Sequence, residues 1–148
     1  MPILALKTLH VLAAIVAVGI NVSSTFWLAR AGRDREKLLF VIAQVRRLDR
    51  SVANPGYIVL LATGLGMVAL GAYPLTSGWI LAALTLYVLV AILGITVFAP
   101  AIRIQLSEAE RDPASPAYAL AAARSRRLGA LTTGIVTVIV VLMVAKPF

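Results

Sequence analysis

The side chain best suited to bind iron or move a proton in this chain is His10, the only histidine among its 148 residues. Its imidazole can ligate a metal through one ring nitrogen and titrate near neutrality. On a helix, His10, Ala14, Ala17, Asn21 and Ser24 fall on one narrow stripe. Small and polar side chains on an otherwise apolar helix form a packing face: small ones let backbones approach, and polar ones hydrogen-bond across the seam. His10 is therefore expected to face other helices. Lys7 lies one turn earlier, within about 60° of the same face.

Two readings of His10 follow from the residues alone. In one it is hydrogen-bonded to a backbone carbonyl or a neighbouring hydroxyl. In the other it is an axial haem ligand, since helical bundles house cofactors in their cores. Lys7 would then pair with a haem propionate, or else snorkel to lipid headgroups. Met67 and Met143 sit at a matching depth in two other apolar segments, as candidate sixth ligands or as gap-filling core residues. The chain has no cysteine. Disulfides, thiolate sites and iron–sulfur clusters are excluded, as is any zinc or copper site needing several imidazoles from one chain.

These residues are carried by strongly apolar elements. The chain is 61% hydrophobic and only 14% charged, against about 45–50% and about 25% for soluble domains. With a mean hydropathy of +0.95, the excess apolar surface must face lipid. Four spans are expected, at about 3–29, 55–72, 79–102 and 126–146, in a single all-α domain: an antiparallel four-helix membrane bundle. Trp27 and Arg30 mark the far interface of the first span. A cleavable leader would end at Ala29-Arg30-Ala31, but Asn21, Ser23, Ser24, Phe26 and Trp27 replace the small residues such a segment needs.

The connectors 30–53 and 103–125 are polar and basic. In the first, Leu38, Val41, Ile42, Val45 and Leu48 recur at helical spacing, with Arg46, Arg47 and Arg50 on the other side. Asp34 is the expected N-cap of an amphipathic helix lying on, or rising into, the membrane interface. Asn54-Pro55 reads as the start of the second span, Pro100 as a kink near the end of the third, and Asp112-Pro113 and Ser115-Pro116 as start signals before the fourth. Gly129, Thr132, Thr133, Gly134 and Thr137 form a second packing surface, with a smaller one at Thr63, Gly64 and Gly66.

Charge sets the expected orientation. All Lys and Arg except Lys7 and Lys146 lie between residues 30 and 127, in or beside the two connectors. Short loops rich in Lys and Arg are cytoplasmic, which puts both termini outside. The net charge of +8 then meets anionic headgroups and not nucleic acid. None of the six acidic residues lies within a span, which disfavours a proton-coupled transporter. Arg-Arg-Leu occurs at residues 46–48 and again at 126–128, before the second and fourth spans, as a duplicated hairpin would produce.

Lys7-Thr8-Leu9-His10, followed by Ala13, Ala14 and Gly19, resembles the opening helix of the bacterial HemJ and copper-resistance-D-type membrane proteins. Val144-Ala145-Lys146-Pro147-Phe148 resembles the Val-x-Lys-Pro-Phe ending of HemJ sequences. The resemblance implies a bacterial cytoplasmic membrane location, haem b held by His10, and a role for Lys146 near the outer face. HemJ proteins oxidise protoporphyrinogen IX to protoporphyrin IX. This chain departs from them in its third span, which has neither Lys nor His, and at Arg126-Arg127-Leu128-Gly129, where an Arg-x-x-Asn-Glu-type segment is absent. These departures tell against oxidase catalysis and leave haem binding in place. Three functions fit these residues: a haem b protein serving electron transfer or as an accessory subunit, a cofactor-free structural or assembly subunit, and a small transporter. A homodimer or larger membrane complex is a further expectation, and would supply a second His10.

Overall fold

Apolar runs of this length leave the backbone one way to satisfy its own polar groups in lipid, and the chain is helical throughout. The structure, a computed structural model, describes residues 1–32 and 34–147. Arg33 of the first basic connector and Phe148 of the C-terminal motif lie outside the described residues. The helices are α1 (Pro2–Arg30), α2 (Arg35–Leu48), α3 (Asn54–Ala69), α4 (Gly78–Leu93), α5 (Ala99–Arg111) and α6 (Pro116–Ala145). No strand occurs among the described residues. Four helices are long and apolar enough to cross a membrane, as expected: α1, the continuous helix Arg35–Ala69, the continuous helix Gly78–Arg111, and α6.

Two boundaries differ from the sequence reading. Asn54-Pro55 does not start a helix, because α2 runs into α3 through a π turn at Asp49–Ala53. Likewise α4 runs into α5 through a π turn at Gly94–Phe98, and the helix continues past Ile102 to Arg111. The physical reason is the same in both. Pro55 and Pro100 each lack an N–H and press their rings towards the carbonyl four residues back, that of Ser51 or Thr96. Widening the turn relieves the clash without ending the helix, and the Asn54 and Ala99 N–H groups bond the carbonyls of Asp49 and Gly94, five residues back.

Helices α2 and α6 start on side-chain caps. Asp34 accepts from Lys37 N at 3.0 Å, and Ser115 Oγ accepts from Tyr118 N at 3.1 Å, so α6 begins well before residue 126. At the other end of α3, Gly71 adopts φ +74°. Ala72 N then reaches Met67 O at 3.0 Å and Gly71 N reaches Val68 O at 2.9 Å, closing the helix and starting the turn to α4.

Helix α2 is a core element and does not simply ride on the interface. Leu38 and Ile42 are 1% and 0% exposed, packed with Ile102 and Ala109 of α5 and flanked by Leu28, Phe98, Leu106 and Tyr118. The best-buried apolar cluster thus lies at the end carrying the basic loops. The spans themselves keep a lipid-facing coat, with Ile15, Ile58, Ile92 and Val141 among many exposed apolar side chains. Around the bundle, α1 packs on α3 and α6, and α6 packs on α4, whereas the backbones of α3 and α4 stay apart.

The Arg-Arg-Leu triplets occupy unlike surroundings. Residues 46–48 end α2 just before a π turn, and residues 126–128 lie within the uninterrupted α6.

Candidate functional site

The expected stripe on α1 meets α3. A Cβ added at Gly56 would lie 3.2 Å from Ala17 Cβ, and one at Gly64 would lie 3.4 Å from His10 Cε1. Glycine at these two positions is what lets the helices close on a fully buried Ala17 and lets the imidazole lie against the α3 backbone. Ser24, further along the stripe, is buried too.

The polar members of the seam have defined roles. Thr63 Oγ1 donates to Val59 O in its own helix at 2.7 Å, and His10 Nδ1 lies 2.8 Å from the same oxygen. With the hydroxyl proton given to that carbonyl, Oγ1 is left as the acceptor and the imidazole proton is assigned to His10 Nδ1. This assignment leaves the free lone pair on Nε2. The hydroxyl partner agrees with one of the two readings of His10 and is compatible with the other. Nearer the basic-loop end, Thr133 Oγ1 donates to Asn21 Oδ1 at 2.6 Å, tying α6 to α1. Tyr87 OH donates to Tyr57 O at 2.9 Å and bridges the wide side between α4 and α3.

A second cluster forms at the end carrying the termini. Lys146 ends α6 in the left-handed region, φ 45° and ψ 57°, with its N–H on Leu142 O. It is the only non-glycine residue at positive φ among the described residues, a conformation costing about 1–2 kcal/mol. The geometry sets Lys146 Nζ 3.1 Å from Tyr73 OH, 4.4 Å from the Tyr73 ring centre and 5.5 Å from that of Trp79. Tyr73 and Trp79 meet edge to face at 5.4 Å. The hydrogen bond from Lys146 holds the Tyr73 phenol below its ordinary ionisation range, assisted by the charges of Lys146 and Lys7 and opposed by slight burial.

The five residues singled out from sequence divide accordingly. His10 sits at the α1–α3 seam. Met67 is buried on α3, one turn beyond Thr63. Lys7 and Lys146 are exposed at the terminal end, near Tyr73. Met143 is half-buried on α6, which packs against α1 and α4 but not α3. Of the second packing surface, Gly129 and Thr132 are buried, whereas Gly134 meets open space. Among the described residues no group of three or more His, Cys, Asp or Glu could hold a metal ion. Sequence reasoning had Thr63 as a packing residue and missed its pairing with His10. It also missed Tyr73, for which the only signal was an aromatic residue in an otherwise uncharged turn.

An all-helical chain with four membrane-length helices and a polar seam between them defines a multi-spanning membrane protein of the four-helix class. Residues 4–147 match a family described as "Predicted integral membrane protein (DUF2269)", and the chain belongs to that family. No curated protein and no solved structure matches it.

Proposed function

We propose that the protein is a haem b-binding subunit of the bacterial cytoplasmic membrane, in which His10 would hold the iron, with both termini on the outer side. The observation that carries this reading is the relay from His10 Nδ1 through Thr63 Oγ1 to Val59 O. Metal-bound histidines characteristically donate their other ring N–H to an acceptor that fixes tautomer and orientation. Here that acceptor is a buried hydroxyl, and Nε2 is the nitrogen left for iron. Lys7, one turn outward from His10, and Lys146 at the end carrying the termini would supply two ammonium groups for the propionates of an otherwise apolar ligand. Met67 on α3, Met143 on α6, or His10 of another copy would be the further side chains able to hold the iron. Bound haem would supply one-electron chemistry. The chain's own residues would orient the ligand and set the polarity around it.

The test is the visible spectrum of protein purified from haem-sufficient cells, with and without reductant. A Soret band is expected, lost in His10→Ala while the helical circular dichroism remains. Colourless protein that takes up no added haemin would overturn the proposal.

A second reading, a cofactor-free structural or assembly subunit, is favoured by the closeness of the α1–α3 seam. With Gly56 against Ala17 and Gly64 against the imidazole, His10 would serve as an interhelical hydrogen-bond donor and no more.

A further inference from the structure

Away from His10, a crevice of about 360 Å³ opens between α1, α5 and α6 at the end carrying the basic loops. That volume falls within the roughly 300–1,000 Å³ typical of small-ligand sites. Asn21, Ser24 and Thr25 line it from α1, Gln105 from α5, and Ser125 and Arg126 from α6. Gln105 and Ser125 are each only 3% exposed. Gln105 Oε1 and Ser125 Oγ are nevertheless without hydrogen-bond partners among the described residues. Buried side-chain acceptors and hydroxyls are almost always paired in folded proteins, so two orphans on residues that line one crevice leave room for a partner from outside the chain, a ligand or an ordered water. Among the described residues Arg126 is the only charged one lining it. The nearby Asp112 carboxylate is turned onto Ala114 N at 2.9 Å.

We propose that this crevice binds a glycerophosphate group. Its phosphate would meet the Arg126 guanidinium, which has the fork geometry for phosphate oxygens. Its hydroxyls would donate to Gln105 Oε1 and exchange a hydrogen bond with Ser125 Oγ, satisfying both orphans at once. The group has two sources, the headgroup of a phosphatidylglycerol-type lipid or free glycerol phosphate. The crevice lies beside Gly32 and Ser115 at the loop ends of α1 and α6, the level at which lipid headgroups meet basic residues. The inference does not depend on haem or on His10.

The test is native mass spectrometry of the detergent-solubilised full chain with added phosphatidylglycerol or phosphatidylethanolamine, alongside thermal melts with sn-glycerol 3-phosphate. One phosphatidylglycerol per chain should be retained in preference to phosphatidylethanolamine. Arg126→Gln should lower that preference about tenfold, the effect of losing one charge-assisted hydrogen bond. Arg124→Gln, which removes a neighbouring charge outside the crevice, should leave it intact. Gln105→Leu should also weaken retention, while the lipid-free variant melts no lower than the parent, because an unpaired buried amide has been removed. If glycerol phosphate protects the parent but not Arg126→Gln, and the lipids do not differ, the same chemistry is met by a soluble ligand. Three results would overturn the proposal: no response to either probe, an equal loss in Arg124→Gln, or destabilisation of lipid-free Gln105→Leu.

Discussion

His10 Nδ1 lies 2.8 Å from Thr63 Oγ1, whose hydroxyl donates to Val59 O at 2.7 Å. The two residues are far apart in sequence, so this one hydroxyl couples the first span to the second. Interhelical hydrogen bonds of this kind contribute about 0.6–2 kcal/mol in membranes. Thr63→Val preserves shape and removes the acceptor, and should cost about 1 kcal/mol in reversible unfolding from detergent. A double-mutant cycle with His10→Ala should return a coupling of about the same size. Strict additivity of the two substitutions would mean that the pair does not form.

The glycines make a graded series. At Gly19 and Gly134 an added Cβ meets nothing within 4 Å, so alanine there should be neutral or slightly stabilising through helix propensity. At Gly66 the nearest atom is the flexible end of Leu6, at 3.4 Å, and the change should be small. At Gly56 the neighbour is Ala17 Cβ at 3.2 Å, which can yield only if the helices part. Gly56→Ala and Ala17→Leu should each cost about 1–3 kcal/mol, as overpacking does. Melting temperatures of the four glycine variants in one detergent give the order directly.

Tyr73 offers a pH test with a definite sign. Its phenol ionises below the ordinary tyrosine range because Lys146 donates to it and Lys7 adds positive charge. The phenolate–ammonium contact therefore forms as pH rises through that lowered value, and is lost as pH falls back through it. Ultraviolet difference titration should find one tyrosine ionising early. Lys146→Gln should return it to the range of an ordinary phenol. An unchanged titration in that variant would place the influence elsewhere.

The four spans were legible because hydropathy and charge are local properties of the chain. So were the Asp34 and Ser115 caps, whose side chains bond N–H groups three residues on. The π turns were not, since Pro55 and Pro100 read equally well as a helix start and a kink. Nor was the role of α2, because an amphipathic stripe does not reveal whether it meets lipid or another helix. Its partner, α5, carries Ala101, Ile102 and Ala109 at helical spacing, in or beside a connector that its polar residues made look like loop. At the candidate site the α1 stripe could be read from spacing, but the identity of what it faced required the distant α3.

That core role can be checked by truncation. Ile42 is fully buried against α5, whereas Phe40 is 63% exposed. Ile42→Ala should cost about 2–4 kcal/mol, and Phe40→Ala should change stability little. Equal effects would return α2 to the membrane surface.

The proposed orientation, with both termini outside, rests on the positions of Lys and Arg. A C-terminal alkaline phosphatase fusion should be active, and a C-terminal fluorescent protein that requires cytoplasmic folding should stay dark. The opposite pair of results would invert the proposed topology.

Drawn on a helical wheel, Leu38, Ile42, Val45, Ala53, Gly56, Thr63 and Met67 form one unbroken stripe. In three dimensions they do not share a face, because the π turn at Asp49–Ala53 takes up an additional residue and advances the phase by about 100°. The inner part of the stripe is thereby aimed at α5 and the outer part at α1. One rod thus serves two neighbours with a single sequence period. Deleting one residue from that turn would break the stripe on paper by about 100°, while in space an ordinary α turn would take up the loss and leave the His10-facing surface on its partner.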